Sequence, residues 1–154
     1  MKSISRRAER KYRTDRFQQA FWTATRAVAE ATEIALARHR VHAGQQFILR
    51  CLWDQEGLAP GEIAARLGLS TPTVTKATAR MEAAGLLVRR PHPTDRRLVR
   101  IQLTKRGRSL QSAIDKEIER ITERALRSLS NRQRDQLIRL LSEVQRNLSS
   151  GRRP

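Results

Sequence analysis

The chain has 154 residues, with 32 Lys and Arg against 15 Asp and Glu, a net charge of +17 and a pI near 11.7. This length suits one domain or a small domain with helical extensions, and a hydrophobic content of 38% argues against global disorder. So basic a composition indicates an anionic partner, with nucleic acid ahead of an anionic membrane surface.

Several protein classes lack support in the sequence. No apolar run approaches the ~20 residues of a membrane span, and no signal-peptide core follows the basic N-terminus. The single cysteine, Cys51, excludes an intramolecular disulfide framework, and with three scattered histidines it is poor material for a metal site. No Gly-rich phosphate loop or paired carboxylates indicate an enzyme. We therefore expect a cytoplasmic protein without metal, cofactor or catalytic activity.

The first 13 residues form a predicted basic N-terminal tail. It combines one acid, Glu9, with six basic residues: Lys2, Arg6, Arg7, Arg10, Lys11 and Arg13. Two interpretations remain open: a solvated, partly ordered tail, or an arm that contacts DNA phosphates or a minor groove.

Two helices are predicted next. From about Asp15 to Arg40, apolar residues recur at alternating spacings of four and three, which is one helical stripe; they are Phe17, Phe21, Ala24, Val28, Ala31 and Ala35. A second helix is predicted from about Gly44 to Gln55.

A short helix, a turn and another helix follow. The short helix runs from about Gly61 to Leu67, and Gly68 supplies the turn. Ser70 is a good N-cap for the next helix, which ends before Gly85. One face of this helix is apolar, with Val74, Ala77, Met81 and Ala84, and another carries Thr73, Lys76 and Arg80.

The next segment predicts two short strands joined by a projecting loop. The strands are Leu86–Arg90 and Leu98–Leu103, and the loop between them has the sequence PHPTDRR. Thr104 then caps a long amphipathic helix, and Ser130 caps a final one with Leu137, Leu141, Val144 and Leu148 on one face. These terminal apolar stripes need a partner, for which a second copy of the chain is the simplest candidate.

The middle of the chain therefore has the parts of a winged helix-turn-helix, which binds duplex DNA. Pro60–Arg108 holds eleven basic and three acidic residues, the highest charge density of the chain. A major groove about 12 Å wide admits one helix. The helix after Ser70 would direct Thr71, Thr73, Lys76 and Arg80 into it, unless this face is merely solvated.

The tip of the loop carries Asp95, Arg96 and Arg97. Asp95 can accept a hydrogen bond from a neighbouring guanidinium and hold it in one rotamer. An arginine oriented in this way can enter a narrow A·T-rich minor groove. A solvated Asp–Arg surface pair, worth less than ~1 kcal/mol, is the alternative.

These motifs together resemble the MarR family of bacterial transcriptional regulators, over roughly residues 15 to 148. The resemblance is carried by the pattern GEIAARLGLS…TVTKATARMEAAGLLVRRPHPTDRRLVRIQLTKRG. It implies a mainly α fold with a small β-wing, in which a winged helix-turn-helix domain at 41–108 is flanked by a helical dimerisation region at 14–40 and 109–150. It further implies a homodimer that binds a pseudo-palindromic operator in double-stranded DNA, usually as a repressor.

The resemblance also implies residue roles. Predicted DNA contacts are Ser70, Thr71, Thr73, Thr75, Lys76, Arg80, Asp95, Arg96 and Arg97. Many family members release DNA on binding a small, often phenolic, anion, and we expect Trp22, Arg26, Phe47 and Arg50 near such a ligand. The simpler interpretation of these four is core aromatics and surface arginines. Cys51, in an apolar stretch, is expected to be a small buried hydrophobe and not a redox sensor.

One functional alternative stays open from charge alone. A non-specific architectural nucleic-acid-binding protein would show affinity without sequence preference, with a salt dependence set by the number of phosphates contacted.

Overall fold

The computed structural model of the chain describes residues 6–91 and 98–149, which form a mostly helical protein with one small sheet. The predicted fold class is therefore confirmed. The elements are α1 (Arg6–Ala37), α2 (Gln45–Asp54), α3 (Pro60–Leu67), α4 (Thr71–Ala83), β1 (Leu87–Pro91), β2 (Val99–Leu103), α5 (Lys105–Ser109), α6 (Gln111–Ala125) and α7 (Asn131–Ser149). None of the helices in these ranges is long and apolar enough to cross a membrane.

The chain divides into two compact units, one ending at Glu119 and one beginning at Arg120. The first unit contains what we call the winged region, the consecutive elements α2, α3, α4, β1 and β2. The division falls within α6.

Helix α1 begins earlier than predicted, at Arg6 and not near Asp15. Its first turns contain mostly Arg, Lys, Ala and Glu, which are strong helix formers, so the helix starts before its apolar stripe does. It ends at Ala37. In the turn that follows, Arg40 adopts a φ of 55° and Val41 N donates to Leu36 O at 3.3 Å. This left-handed turn closes the helix before the predicted end at Arg40.

The single long helix predicted after Thr104 is divided in the structure. Thr104 caps α5 as expected, since its Oγ1 accepts from Gly107 N at 3.0 Å. The helical pattern is then interrupted at Leu110, whose ψ of −13° is turn-like and whose side chain packs against the core. The periodic stripe did not reveal this break because the two helices nearly continue one another.

The core lies in the winged region and receives a few residues from its flanking helices. Its largest fully buried side chains are Leu36, Leu49, Leu52, Leu58, Ile63, Met81, Leu86, Leu87, Ile101, Ile114, Val41 and Val74. Each such side chain contributes about 1.5–3 kcal/mol by leaving water. The helix-turn-helix is therefore held by aliphatic packing.

The sheet is antiparallel, with Leu87 opposite Leu103 and Pro91 opposite Val99. Leu58, before α3, adds an isolated bridge to Ile101, whose N–H donates to Leu58 O at 2.8 Å. Both predicted strands are confirmed to within about one residue. The bridge fastens the middle of β2 to the segment that leads into α3.

Among the described glycines, Gly107 lies closest to a neighbouring segment of the backbone. A Cβ built there would lie 2.0 Å from Leu86 O, a main-chain atom that no change of side-chain rotamer can move. The close contact lets α5 pack against the turn that follows α4, which explains the glycine in the sequence LTKRG.

We predict that Gly107→Ala lowers the free energy of unfolding by about 1–3 kcal/mol, because the backbone must shift to accommodate the methyl group. Gly61→Ala is the matched control: its Cβ would meet nothing nearer than Thr71 Oγ1 at 3.9 Å. Urea denaturation of both variants measures the difference. Equal stability of the two variants would contradict the close-approach argument.

Candidate nucleic-acid interface

The turn between α3 and α4 is formed by the residues predicted for it. Gly68 caps α3 with a φ of 64°, and Leu69 N donates to Ala64 O at 2.9 Å. Ser70 begins α4 by accepting from Thr73 N at 3.3 Å, with Pro72 in the first turn, where no N–H is needed. These local signals set the direction in which α4 leaves α3.

Helix α4 buries one stripe, half-buries the residues beside it and exposes its far side. Val74, Thr78 and Met81 are fully buried. By the 3.6-residue period, Lys76 lies opposite this stripe. The sequence pattern did not indicate that Thr78 is a core residue. Its hydroxyl can be buried because it donates to Thr75 O at 3.1 Å.

The other exposed residues of α4 flank Lys76 on two sides. Thr73 and Arg80 fall on one side, and Thr71 and Thr75 on the other. The helix thus displays hydroxyl groups and cations together on one solvent-facing surface, which we call the α4 surface: Thr71, Thr73, Thr75, Lys76 and Arg80.

The hydroxyl groups of the α4 surface differ in what they can still donate. Thr75 Oγ1 donates to Thr71 O at 2.9 Å, so its proton is already used and it can only accept from a ligand. Ser70 Oγ and Thr73 Oγ1 lie 2.7 Å apart and share one hydrogen bond, which leaves one free proton between them. Thr71 makes no side-chain hydrogen bond within the described ranges, so it can donate to a phosphate oxygen.

The cations of the α4 surface have no acidic partner among the described residues. Lys76 and Arg80 are exposed and form no ion pair or hydrogen bond with them, unlike Arg89, Arg108 and Arg134, which all pair with glutamates. Uncompensated charge on a convex helix attracts phosphate anions. Three of the predicted DNA contacts, Asp95, Arg96 and Arg97, lie outside the described residues.

A carboxylate on α4 holds the start of the wing. Glu82 Oε1 accepts from Arg89 N at 2.9 Å, and Oε2 accepts from Arg89 Nε at 2.7 Å. The backbone hydrogen bond, followed by the side-chain one, lowers the pKa of Glu82. The first strand of the wing is thereby tied to the last turn of α4. Sequence reasoning missed this contact, although Glu82 is the one acid within α4.

The four predicted ligand contacts are distributed over two helices. Trp22 and Arg26 lie on α1, and Phe47 and Arg50 on α2, with Trp22 69% and Phe47 55% exposed on the isolated chain. Neither aromatic is therefore a core residue of the single chain. Arg50 Nη2 lies 2.8 Å from Asp115 Oδ1 in an ion pair.

A cavity of about 360 Å³ lies elsewhere, between the N-terminus of α2 and one flank of α4. Ile48, Leu69 and Val74 give it apolar walls, and Thr73 and Arg80 of the α4 surface also line it. None of the four predicted ligand residues contributes to it.

Cys51 is buried, as expected, and burial raises the pKa of its thiol, so it is a poor thiolate. Within the described part of the chain, no group of three or more His, Cys, Asp or Glu side chains could hold a metal ion.

Comparison with known proteins shows what part of this chain is similar to. The model of the MarR family matches residues 42–99. The HTH-type transcriptional regulator TtmR of Methylorubrum extorquens (strain PA1) is 38% identical over 96 residues, which cover 62% of this chain and 49% of that protein. The chain thus spans about half the length of this curated relative.

Solved structures give the same fold. A structure of the transcriptional regulator SlyA superposes with a TM-score of 0.78 at 22% identity, covering 87% of this chain and 94% of that one. A structure of the transcriptional repressor CouR, bound to a 23-mer DNA duplex, superposes with a TM-score of 0.72 at 29% identity, covering 81% and 89%.

We predict that the Glu82 carboxyl titrates below the ~4.3 of an unperturbed glutamate. Because its native pKa is lowered, the contact stabilises the fold fully above the unfolded-state pKa and loses its effect as the pH falls through the native one. Carbon-detected NMR titration measures the midpoint. Arg89→Met should raise this midpoint only in part, since the backbone N–H at position 89 still donates to the carboxyl. A wild-type midpoint at or above about 4.3 would contradict the contact.

Proposed function

We propose, on the premise that residues 42–99 belong to the MarR family, that this chain is a cytoplasmic transcriptional regulator that binds double-stranded DNA as a homodimer. The observation that carries the proposal is the α4 surface, where hydroxyl groups surround cations that have no acidic partner among the described residues. Helix α4 would enter the major groove, with Lys76 at the centre of the contact. The wing, with Asp95, Arg96 and Arg97 at its tip, would enter the adjacent minor groove.

The dimer is supported by apolar surface that the single chain leaves exposed. On α1, Phe17 and Phe21 stack with ring centroids 5.9 Å apart, yet each is more than two-fifths exposed. On α7, Leu137, Leu141 and Leu148 are also exposed along one face. A second copy of the chain would cover these stripes, with 14–40 and 109–150 as the dimerisation region and 41–108 as the DNA-binding domain.

We further propose repression as the mode of regulation and release of DNA by a small anionic ligand. CouR, the DNA-bound relative, is named a repressor, which supports the first point. For the second, Arg26 offers a cation four residues from the exposed Trp22, and Arg50, three residues from the exposed Phe47, would exchange its ion pair with Asp115 for the ligand. Unchanged release by every active ligand in an Arg26→Ala, Arg50→Ala double variant would refute this ligand site.

A non-specific architectural protein is the competing function, since charge alone would give it affinity for any duplex. A competition gel shift separates the two. The operator, recovered by selecting bound genomic fragments, should be preferred over random duplex by about 10³-fold or more. Equal competition by random duplex would establish the architectural function instead.

We predict that Lys76→Ala weakens operator binding by about 1–3 kcal/mol, because it removes the central cation of the α4 surface. Lys116→Ala is the control, since Lys116 is an exposed cation outside the winged region, on α6. Fluorescence anisotropy at fixed salt measures both affinities, and equal loss in the two variants would count against α4 as the major-groove element.

The wing has its own test. Arg97→Ala should weaken binding to an operator with A·T-rich flanks more than to one with G·C-rich flanks, because a narrow A·T minor groove attracts arginine most strongly. Arg90→Ala, which removes an exposed cation from β1, should reduce both affinities equally. A loss from Arg97→Ala that is the same on both flanks would remove the minor-groove role.

A further inference from the structure

The winged region is joined to its neighbouring helices at two places. The chain enters it through the turn between α1 and α2, which contains His39, and leaves it through α5. Both places lie beside the end of α4. One side chain of α5, that of Arg106, contacts both the turn at His39 and the residue that follows α4. Arg106 Nη1 donates to Ala84 O, which follows α4, and Nη2 donates to His39 O at 2.9 Å.

The position of Arg106 itself is fixed from both sides along the chain. Before it, the hydroxyl of Thr104 donates toward Gly85 O at 2.8 Å and Leu86 O at 3.1 Å. After it, Gly107 packs against Leu86 and accepts from Trp53 Nε1 at 3.0 Å through its carbonyl. The guanidinium is therefore presented from an immobilised backbone, and its planar fork holds two acceptors at a set angle.

Other links between these helices are of a different kind. Arg38, just after α1, pairs with Glu117 at 2.6 Å, and Arg50 of α2 pairs with Asp115 at 2.8 Å, so both arginines connect to α6. Both partners of the Arg50 pair are well exposed, so salt screens it, whereas the Glu117 side chain is only 10% exposed and its pair is screened less. The acceptors of Arg106 are neutral main-chain carbonyls, and its side chain is partly buried, so salt affects this link less.

We infer that Arg106 is a positioning residue that fixes the orientation of the winged region relative to α1 and α5, and thereby sets the half-site spacing that the dimer accepts. The inference rests on the proposed function, since it assumes two half-sites. One added base pair moves a half-site by about 3.4 Å and rotates it by about 35° around the duplex. A winged region held at a fixed angle cannot follow that displacement, whereas one that has lost this link and keeps only the ion pairs and core contacts can follow it further.

The experiment compares the affinity for the selected operator with that for operators lengthened or shortened by one base pair between the half-sites. For the wild type, we expect either change to weaken binding at least about tenfold. For Arg106→Met, the ratio of the affinity for the selected operator to that for the lengthened or shortened one should fall below about threefold. Arg108→Met is the matched control: Arg108 lies two residues on and also bonds the winged region, but through an exposed ion pair with Glu56 at 2.6 and 2.9 Å and not at the end of α4 or the turn at His39, so it should keep the wild-type ratio.

The ratio of two affinities does not depend on how much of the protein is active, so a loss of stability alone leaves it unchanged. If Arg106→Met lacks the helical circular dichroism of the wild type, Arg106→Lys, which keeps one donor group, replaces it and should give an intermediate ratio. A folded Arg106 variant with the wild-type ratio overturns the inference. A wild type indifferent to spacing overturns instead the two-half-site function on which it rests.

Discussion

The end of helix α4 is the constraint on which the rest of the structure depends. The last carbonyl groups of any α-helix lack partners within the helix, and here the turn after α4 supplies donors: Ala84 N, Gly85 N and Leu86 N donate to the carbonyls of Arg80, Glu82 and Met81. The segment after the wing then bonds the carbonyls of that turn, since Thr104 bonds toward Gly85 O and Leu86 O, and Arg106 bonds Ala84 O. One set of hydrogen bonds therefore fixes the turn after α4, closes the sheet onto the helix-turn-helix and starts the next helix.

Charge is arranged differently in the structural and the solvent-facing parts of the first unit. Arginines that hold elements together are paired, as Arg89 is with Glu82, or bonded to main-chain carbonyls, as Arg106 is. Lys76 and Arg80, on the α4 surface, have no such partner within the described ranges. An excess of +8 between Pro60 and Arg108 thus does not act uniformly: part of it is used within the fold, and the part left over faces the proposed phosphate ligand.

Most of the winged region could be predicted from its sequence because its signals are local. Ser70, Pro72, Gly68 and Gly85 mark helix ends by backbone preference, and alternation marks β2, so these elements were found nearly in place. The contacts of Glu82 and Arg106 could not be found, since a side chain that bonds a distant backbone atom leaves no periodic signal. The early start of α1 was missed because a helical segment made of Arg, Lys and Ala has no apolar stripe that would indicate a helix. The DNA and ligand contacts remain predictions.

The anchoring of α4 also bears on how such a protein can diverge. Arg106 and Thr104 bind main-chain carbonyls, which every amino acid possesses, and they bind them beyond the exposed part of the helix. Substitutions among Thr71, Thr73, Lys76 and Arg80 therefore leave the anchor intact. The helix can acquire a new target sequence in single steps without first losing its place in the fold, so recognition can evolve while the framework stays under separate selection.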